Sequence, residues 1–102
     1  MDSQKMIKRI VQLTFREDAT DDFCAIFEES KAKIRARAGC QHLELLRSTA
    51  RPNVFFTFSH WDDEDSLNAY RDSELFKITW AKTKILFAAK PHAWSVEVAS
   101  FA

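Results

Sequence analysis

The chain has 102 residues, 46% of them apolar and 13% aromatic, with one Gly and two Pro. This is the size of one domain, so residues 1–102 are read as a single unit with its core at about 8–101 and little room for long irregular loops. Fifteen basic residues cancel fifteen acidic ones; without a block of Lys or Arg there is no positive field for a phosphate backbone, which excludes nucleic acid as the expected partner.

Residues 1–5 lack the apolar stretch of a secretory signal, and cytoplasm is the expected address. Residues 8–15 are β-branched and alternate, with Ile10, Gln12 and Thr14 in one phase and Val11, Leu13 and Phe15 in the other. They read as a strand with apolar residues on both sides. Thr20 is the expected cap of a helix whose first turn holds Asp21 and Asp22. Phe23, Ile26, Phe27, Ser30 and Ile34 form its inner stripe, cations fill its later turns, and Gly39 ends it. Two strands follow, residues 41–49 and 54–61, around a turn containing Pro52-Asn53. An odd-numbered connection would put His60 opposite Glu44 and a two-residue turn would put it opposite Leu45; the pattern admits both. Asp62 is read as the cap of a second helix that turns Leu67 and Tyr70 inward. Ser73 recaps a longer one, with Phe76, Trp80, Thr83 and Phe87 at helical spacing, which Pro91 ends. Residues 92–101 alternate again, with Trp94, Val96 and Val98 in one phase.

The order β-α-β-β-α-β is the split βαβ arrangement, a ferredoxin-like α+β fold with one antiparallel sheet and its helices on a single face. Helices from one copy cover only one side of the sheet, yet the first and third strands are apolar on both. A homodimer in which two sheets pack face to face, a dimeric α+β barrel, resolves this. Cys24 and Cys40 make no C-x-x-C pair and read as reduced thiols. His42, His60 and His92 are scattered, and no protein-built metal site is expected. The longest apolar run, residues 85–89, is far below the roughly 20 residues that span a bilayer, so no membrane partner is expected either.

The segment FFTFSHWDDEDSLNAYRDSELF, residues 55–76, has an aromatic strand ending in Trp61, the acids Asp62, Asp63 and Glu64, then Tyr70, then Ser73-Glu74-Leu75-Phe76. In this it resembles the antibiotic biosynthesis monooxygenase family of dimeric α+β barrel proteins, and the resemblance runs from Ile10 to Val98. Two positions depart from the family pattern. Ser59 stands where the strand often carries Glu, and Tyr70 where the helix commonly carries His. The haem-degrading branch uses Asn, Trp and a haem-ligating His where this chain has Gln12, Tyr70 and Trp80. An indole has no lone pair for iron, so haem degradation is not expected.

The resemblance implies a monooxygenase that needs no cofactor and acts on a small aromatic or quinol-type compound in an apolar pocket between sheet and helices. Its alternatives are a non-catalytic dimeric module that binds a small ligand and an isomerase-type enzyme on a small metabolite. The expected catalytic residues are His60, whose ordinary pKa suits a base at neutral pH, and Tyr70 as a hydrogen-bond donor. Gln12, Phe58, Phe76, Trp80 and Trp94 are the expected lining of the substrate pocket.

Overall fold

The computed structural model describes residues 5–102; residues 1–4, part of the segment read above as lacking a signal, lie outside the described residues. The elements are β1 (Ile7–Thr14), α1 (Thr20–Arg35), β2 (Cys40–Arg47), β3 (Val54–Trp61), α2 (Glu64–Arg71), α3 (Glu74–Lys84) and β4 (His92–Val96). The strands lie in the order β2-β3-β1-β4, each antiparallel to its neighbour. This is the expected ferredoxin-like α+β fold, with an open sheet whose edges are β2 and β4.

Which phase of the strands the helices cover is decided by the largest apolar group. Leu13, Phe15 and Phe55 meet Phe23 and Phe27 of α1, and with Ala19 and Leu86 they make the main core. Phe15 is fully buried. Its ring stacks on Phe23 at 4.2 Å and meets Phe55 edge-on at 5.8 Å, the offset geometries that ring quadrupoles favour. Strand alternation then places Val11, Leu43, Leu45, Thr57, Ser59 and Trp61 beneath the helices as well. A smaller cluster forms at the other end around Cys40, Trp61 and Leu67, with Ile7 and Tyr70 against it.

α1 buries Phe23, Phe27, Ser30 and Ile34. Ser30 is tolerated there because its hydroxyl donates to the Ile26 carbonyl at 2.9 Å. Thr20 does not cap the helix as expected. It lies inside α1 behind buried Ala19, and a 3-10 turn at Glu17–Ala19 makes the entry. The cap of α2 moves by one residue: the Asp63 side chain accepts from the Ser66 N–H at 2.8 Å, while Asp62 accepts from Gln41 at 3.0 Å. Ser73 caps α3 through the Phe76 N–H. α3 ends at Lys84, well before Pro91. The following residues turn back to the end of β1, where Arg16 N–H donates to the Leu86 carbonyl at 3.0 Å and Ala88 N–H to the Thr14 carbonyl at 2.9 Å.

The β2-β3 register satisfies neither expected alternative, since His60 lies opposite His42 and Glu44 opposite Phe58, with an irregularity between Cys40 and His42. The sheet face away from the helices therefore carries three rungs. These are His42–His60–Lys8–Val96, Glu44–Phe58–Ile10–Trp94 and Leu46–Phe56–Gln12–His92. No helix among the described residues covers them, and Leu46, Trp94 and Val96 are exposed.

Candidate functional site

A cavity of about 310 Å³ opens between the sheet and the helices, at the lower end of the range that holds small organic ligands, roughly 300–1,000 Å³. One wall is a continuous run of rings. Tyr70 stacks on Trp61 at 5.1 Å and 18°, meets Phe76 edge-on at 5.2 Å, and Phe76 stacks on Trp80 at 5.8 Å and 10°. The run follows from the sequence, because α2 and α3 are separate helices re-aimed at the Ser73 cap. Tyr70 and Phe76 thereby face each other across the break instead of following one helical stripe. The sheet side of the cavity is formed by Val11, Leu13, Leu43 and Thr57, with Arg9 in the same strand phase.

The polar groups of the cavity are few, and several are already engaged. The Trp61 indole N–H donates to the Ser59 hydroxyl at 3.0 Å, and the Thr83 hydroxyl donates to the Thr79 carbonyl at 2.8 Å. The Ser59 side chain thus fixes the edge of Trp61. Burial pushes the Tyr70 phenol up to about 12, reinforced by nearby Cys40 and opposed by Arg37. Tyr70 is therefore protonated at neutral pH and can donate a hydrogen bond, not act as a base. Burial likewise raises the Cys40 thiol, with opposing contributions from hydrogen bonding with the His42 backbone and from the charge of Arg35. That disfavours the thiolate a nucleophile requires. Both cysteines are free.

Two charged side chains reach the cavity, Arg9 from β1 and Arg71 from the end of α2, and no Asp or Glu among the described residues lines it. Arg9 donates to the Ser95 hydroxyl of β4 at 2.9 Å. Burial lowers its pKa and the charge of Arg71 lowers it further. Sequence reasoning missed both. For Arg9 the signal was present, a cation in the same strand phase as Val11 and Leu13.

Of the expected site residues, the structure brings together Tyr70, Phe76 and Trp80 at the cavity. Gln12, Phe58, His60 and Trp94 stand on the opposite face of the sheet, so their expected place in the pocket between sheet and helices is corrected. The reason is parity: these residues alternate with the phase that α1 covers. Nor does Glu44 orient His60. It bonds His42 Nε2 at 2.8 Å, while His60 Nε2 is buried without a hydrogen-bond partner among the described residues. Burial pushes the His60 ring below its ordinary value, with Lys8 and His42 acting in the same sense and Glu44 opposing them. No group of three or more His, Cys, Asp or Glu among the described residues is placed to hold a metal ion.

The sequence pattern of the antibiotic biosynthesis monooxygenase family matches residues 6–81. A comparison with curated proteins finds no match. Among solved structures, a candidate antibiotic biosynthesis monooxygenase from Caulobacter crescentus CB15 superposes with a TM-score of 0.89 at 21% identity, over 95% of this chain and 92% of that one. A conserved protein from Methanosarcina mazei Go1 superposes with a TM-score of 0.87 at 14% identity, over 91% and 92% of the two chains. Rv0793 from Mycobacterium tuberculosis gives a TM-score of 0.87 at 18% identity, over 96% and 99%. At these identities the likeness is one of fold.

Proposed function

Because the chain belongs to the antibiotic biosynthesis monooxygenase family, we propose that it is a cofactor-independent monooxygenase acting on a small aromatic or quinol-type compound in the cavity between sheet and helices. The observation that carries this reading is the ring-lined cavity, closed on one side by the Trp61–Tyr70–Phe76–Trp80 run. Such walls hold a planar substrate and keep water from it.

The chemistry asked of the protein is modest. The substrate loses a proton, and the carbon of the resulting phenolate or enolate gives an electron to dioxygen. The radical pair joins as a peroxide at that carbon, which takes up a proton. Loss of water then leaves a carbonyl, with one oxygen atom in the product and the other in water. No lining side chain among the described residues is a carboxylate, so the substrate anion is favoured by stabilisation. Tyr70, kept protonated, donates to the oxygen on which charge develops. A hydrogen bond to a charged group is worth about 1.5–3 kcal/mol, which is about 10- to 100-fold in rate.

The test is oxygen consumption with a panel of quinols and hydroxynaphthalenes, with and without dioxygen, followed by ¹⁸O₂ labelling. The expected result is turnover that requires dioxygen and places one labelled atom in the product. Tyr70→Phe should lower kcat about 10- to 100-fold. Turnover that proceeds undiminished without dioxygen sinks the reading. The competing reading, a ligand-binding module without catalysis, is favoured by the placement of His60 on the far face of the sheet. Tight binding of panel compounds with no product from any of them would decide for it.

We propose further that the working unit is a homodimer joined through the helix-free sheet face. Its support is the apolar middle rung, with Phe58 and Ile10 beside exposed Trp94.

A further inference from the structure

We propose that Arg9 and Arg71 form an anion-recognition site in the cavity, so that the ligand is an aromatic acid with its ring against the Tyr70–Phe76–Trp80 wall and its carboxylate on the guanidinium pair. The inference rests on the cavity being the substrate site and narrows the substrate class from aromatic compounds in general to hydroxyaromatic acids.

The argument starts from cost. A half-buried guanidinium in the strand phase of Val11 and Leu13 gives up hydration, and a second one nearby adds repulsion. Neither Arg9 nor Arg71 has a carboxylate within ion-pair distance among the described residues, and no Asp or Glu among those residues lines the cavity to neutralise them. Two of the other arginines, Arg16 and Arg47, are engaged outside the cavity. Arg16 meets Asp18 at 3.5 Å and donates to the Ile85 carbonyl at 2.7 Å. Arg47 donates to the Pro52 carbonyl at 2.6 Å and lies over the Phe55 ring. The contact with Ser95 holds Arg9 on the helix side of the sheet, but a hydroxyl supplies no charge. A ligand carboxylate or phenolate would supply it. Guanidinium matches carboxylate by paired, parallel hydrogen bonds, a fit that fixes orientation as well as affinity. The same positive pair favours ionisation of a hydroxyl on the bound ring, which the proposed oxygenation requires and for which the lining has no carboxylate base.

The experiment measures equilibrium binding of 2-naphthoate and its neutral isostere 2-naphthamide to the full chain at pH 7, by tryptophan fluorescence and calorimetry. Neither probe is a quinol, so the result is independent of turnover. The expectation is that naphthoate binds at least about tenfold more tightly than naphthamide. Arg9→Gln and Arg71→Gln should each weaken naphthoate about tenfold while leaving naphthamide nearly unchanged, and the double variant should erase the preference. Retained naphthamide binding shows that the variants keep a formed cavity. Equal affinity for the two probes in the native protein, a preference that survives the double substitution, or binding of neither probe overturns the inference. A protein that prefers naphthoate yet oxygenates no quinol keeps this inference and loses the oxygenase reading. One that oxygenates neutral quinols and is indifferent to the carboxylate does the reverse.

Discussion

His60 has a ring nitrogen shut away from solvent with no hydrogen-bond partner among the described residues, and burial holds its pKa below the ordinary 6.5. The sign of its effect on stability follows. The unfolded chain takes up a proton near 6.5 and the folded chain only at lower pH, so acidification favours unfolding. The contribution is fully present above 6.5 and is lost as pH falls through the lower folded value. Urea unfolding at pH 8 and pH 5 should show a larger acid loss in the native protein than in His60→Gln, which cannot titrate. Parallel losses in the two proteins would remove His60 as the cause. Tyr70 behaves oppositely at the residue scale, since a phenol held near 12 stays protonated across this whole range. The two side chains expected to work together are thus separated by the sheet, one lining the cavity and the other on the bare face.

At the scale of elements, the approach of α2 to the α1-β2 turn is set by Gly39. Its φ of +85° is left-handed, and a Cβ there would meet the Ser66 Oγ at 2.3 Å and Cβ at 2.4 Å. The Gly39 carbonyl also accepts from the Asp62 N–H at 2.8 Å, tying the start of α2 to the turn. Gly39→Ala therefore combines backbone strain with overpacking, each of order 1–3 kcal/mol, and should destabilise by about 2–4 kcal/mol in urea unfolding. Adding Ser66→Gly should recover the steric part only. A loss below about 0.5 kcal/mol would show that the turn relaxes freely. What could be read beforehand at this scale was local. The aromatic strand from Val54 to Trp61 and the buried stripe of α1 came from short-range periodicity. The facing of the sheet did not, because β1 is apolar in both phases, Ile10 in one and Val11 and Leu13 in the other. Alternation separates two phases without saying which one the helices take. The cap of α2 shifted for a related reason: Asp62 and Asp63 are equally good acceptors, and distant Gln41 decides between them. The pairing of His60 with His42 is set by the length of the β2-β3 connection, since the register runs unbroken from Arg47–Phe55 to His42–His60, and the turn residues Pro52-Asn53 do not by themselves fix that length.

For the whole molecule, the bare sheet face sets the prediction. Phe58 is its centre, with the His60 ring at 5.0 Å, the His42 ring at 6.0 Å and Lys8 Nζ at 5.9 Å. Four strands about 4.8 Å apart and about six residues long at about 3.3 Å each make a patch of roughly 400 Å². Two such patches face to face give about 800 Å², short of the roughly 1,200–2,000 Å² of a stable interface. The remainder has to come from the margin. Residues 97–102 continue past β4 with Val98 50% and Phe101 89% exposed, and apolar side chains left so open on a short chain call for a partner surface. The native protein should therefore sediment as a dimer at micromolar concentration. Phe58→Glu should yield a folded monomer, because Phe58 points away from the helix-side core and the change would set two carboxylates at the centre of a dry contact. Burying a Val or Phe side chain is worth about 1.5–3 kcal/mol, so replacing both Val98 and Phe101 by Ala should weaken association at least about tenfold without abolishing it. A native protein that sediments as a monomer at that concentration would leave the apolar rung of Ile10, Phe58 and Trp94 facing water, and the homodimer would have to be given up.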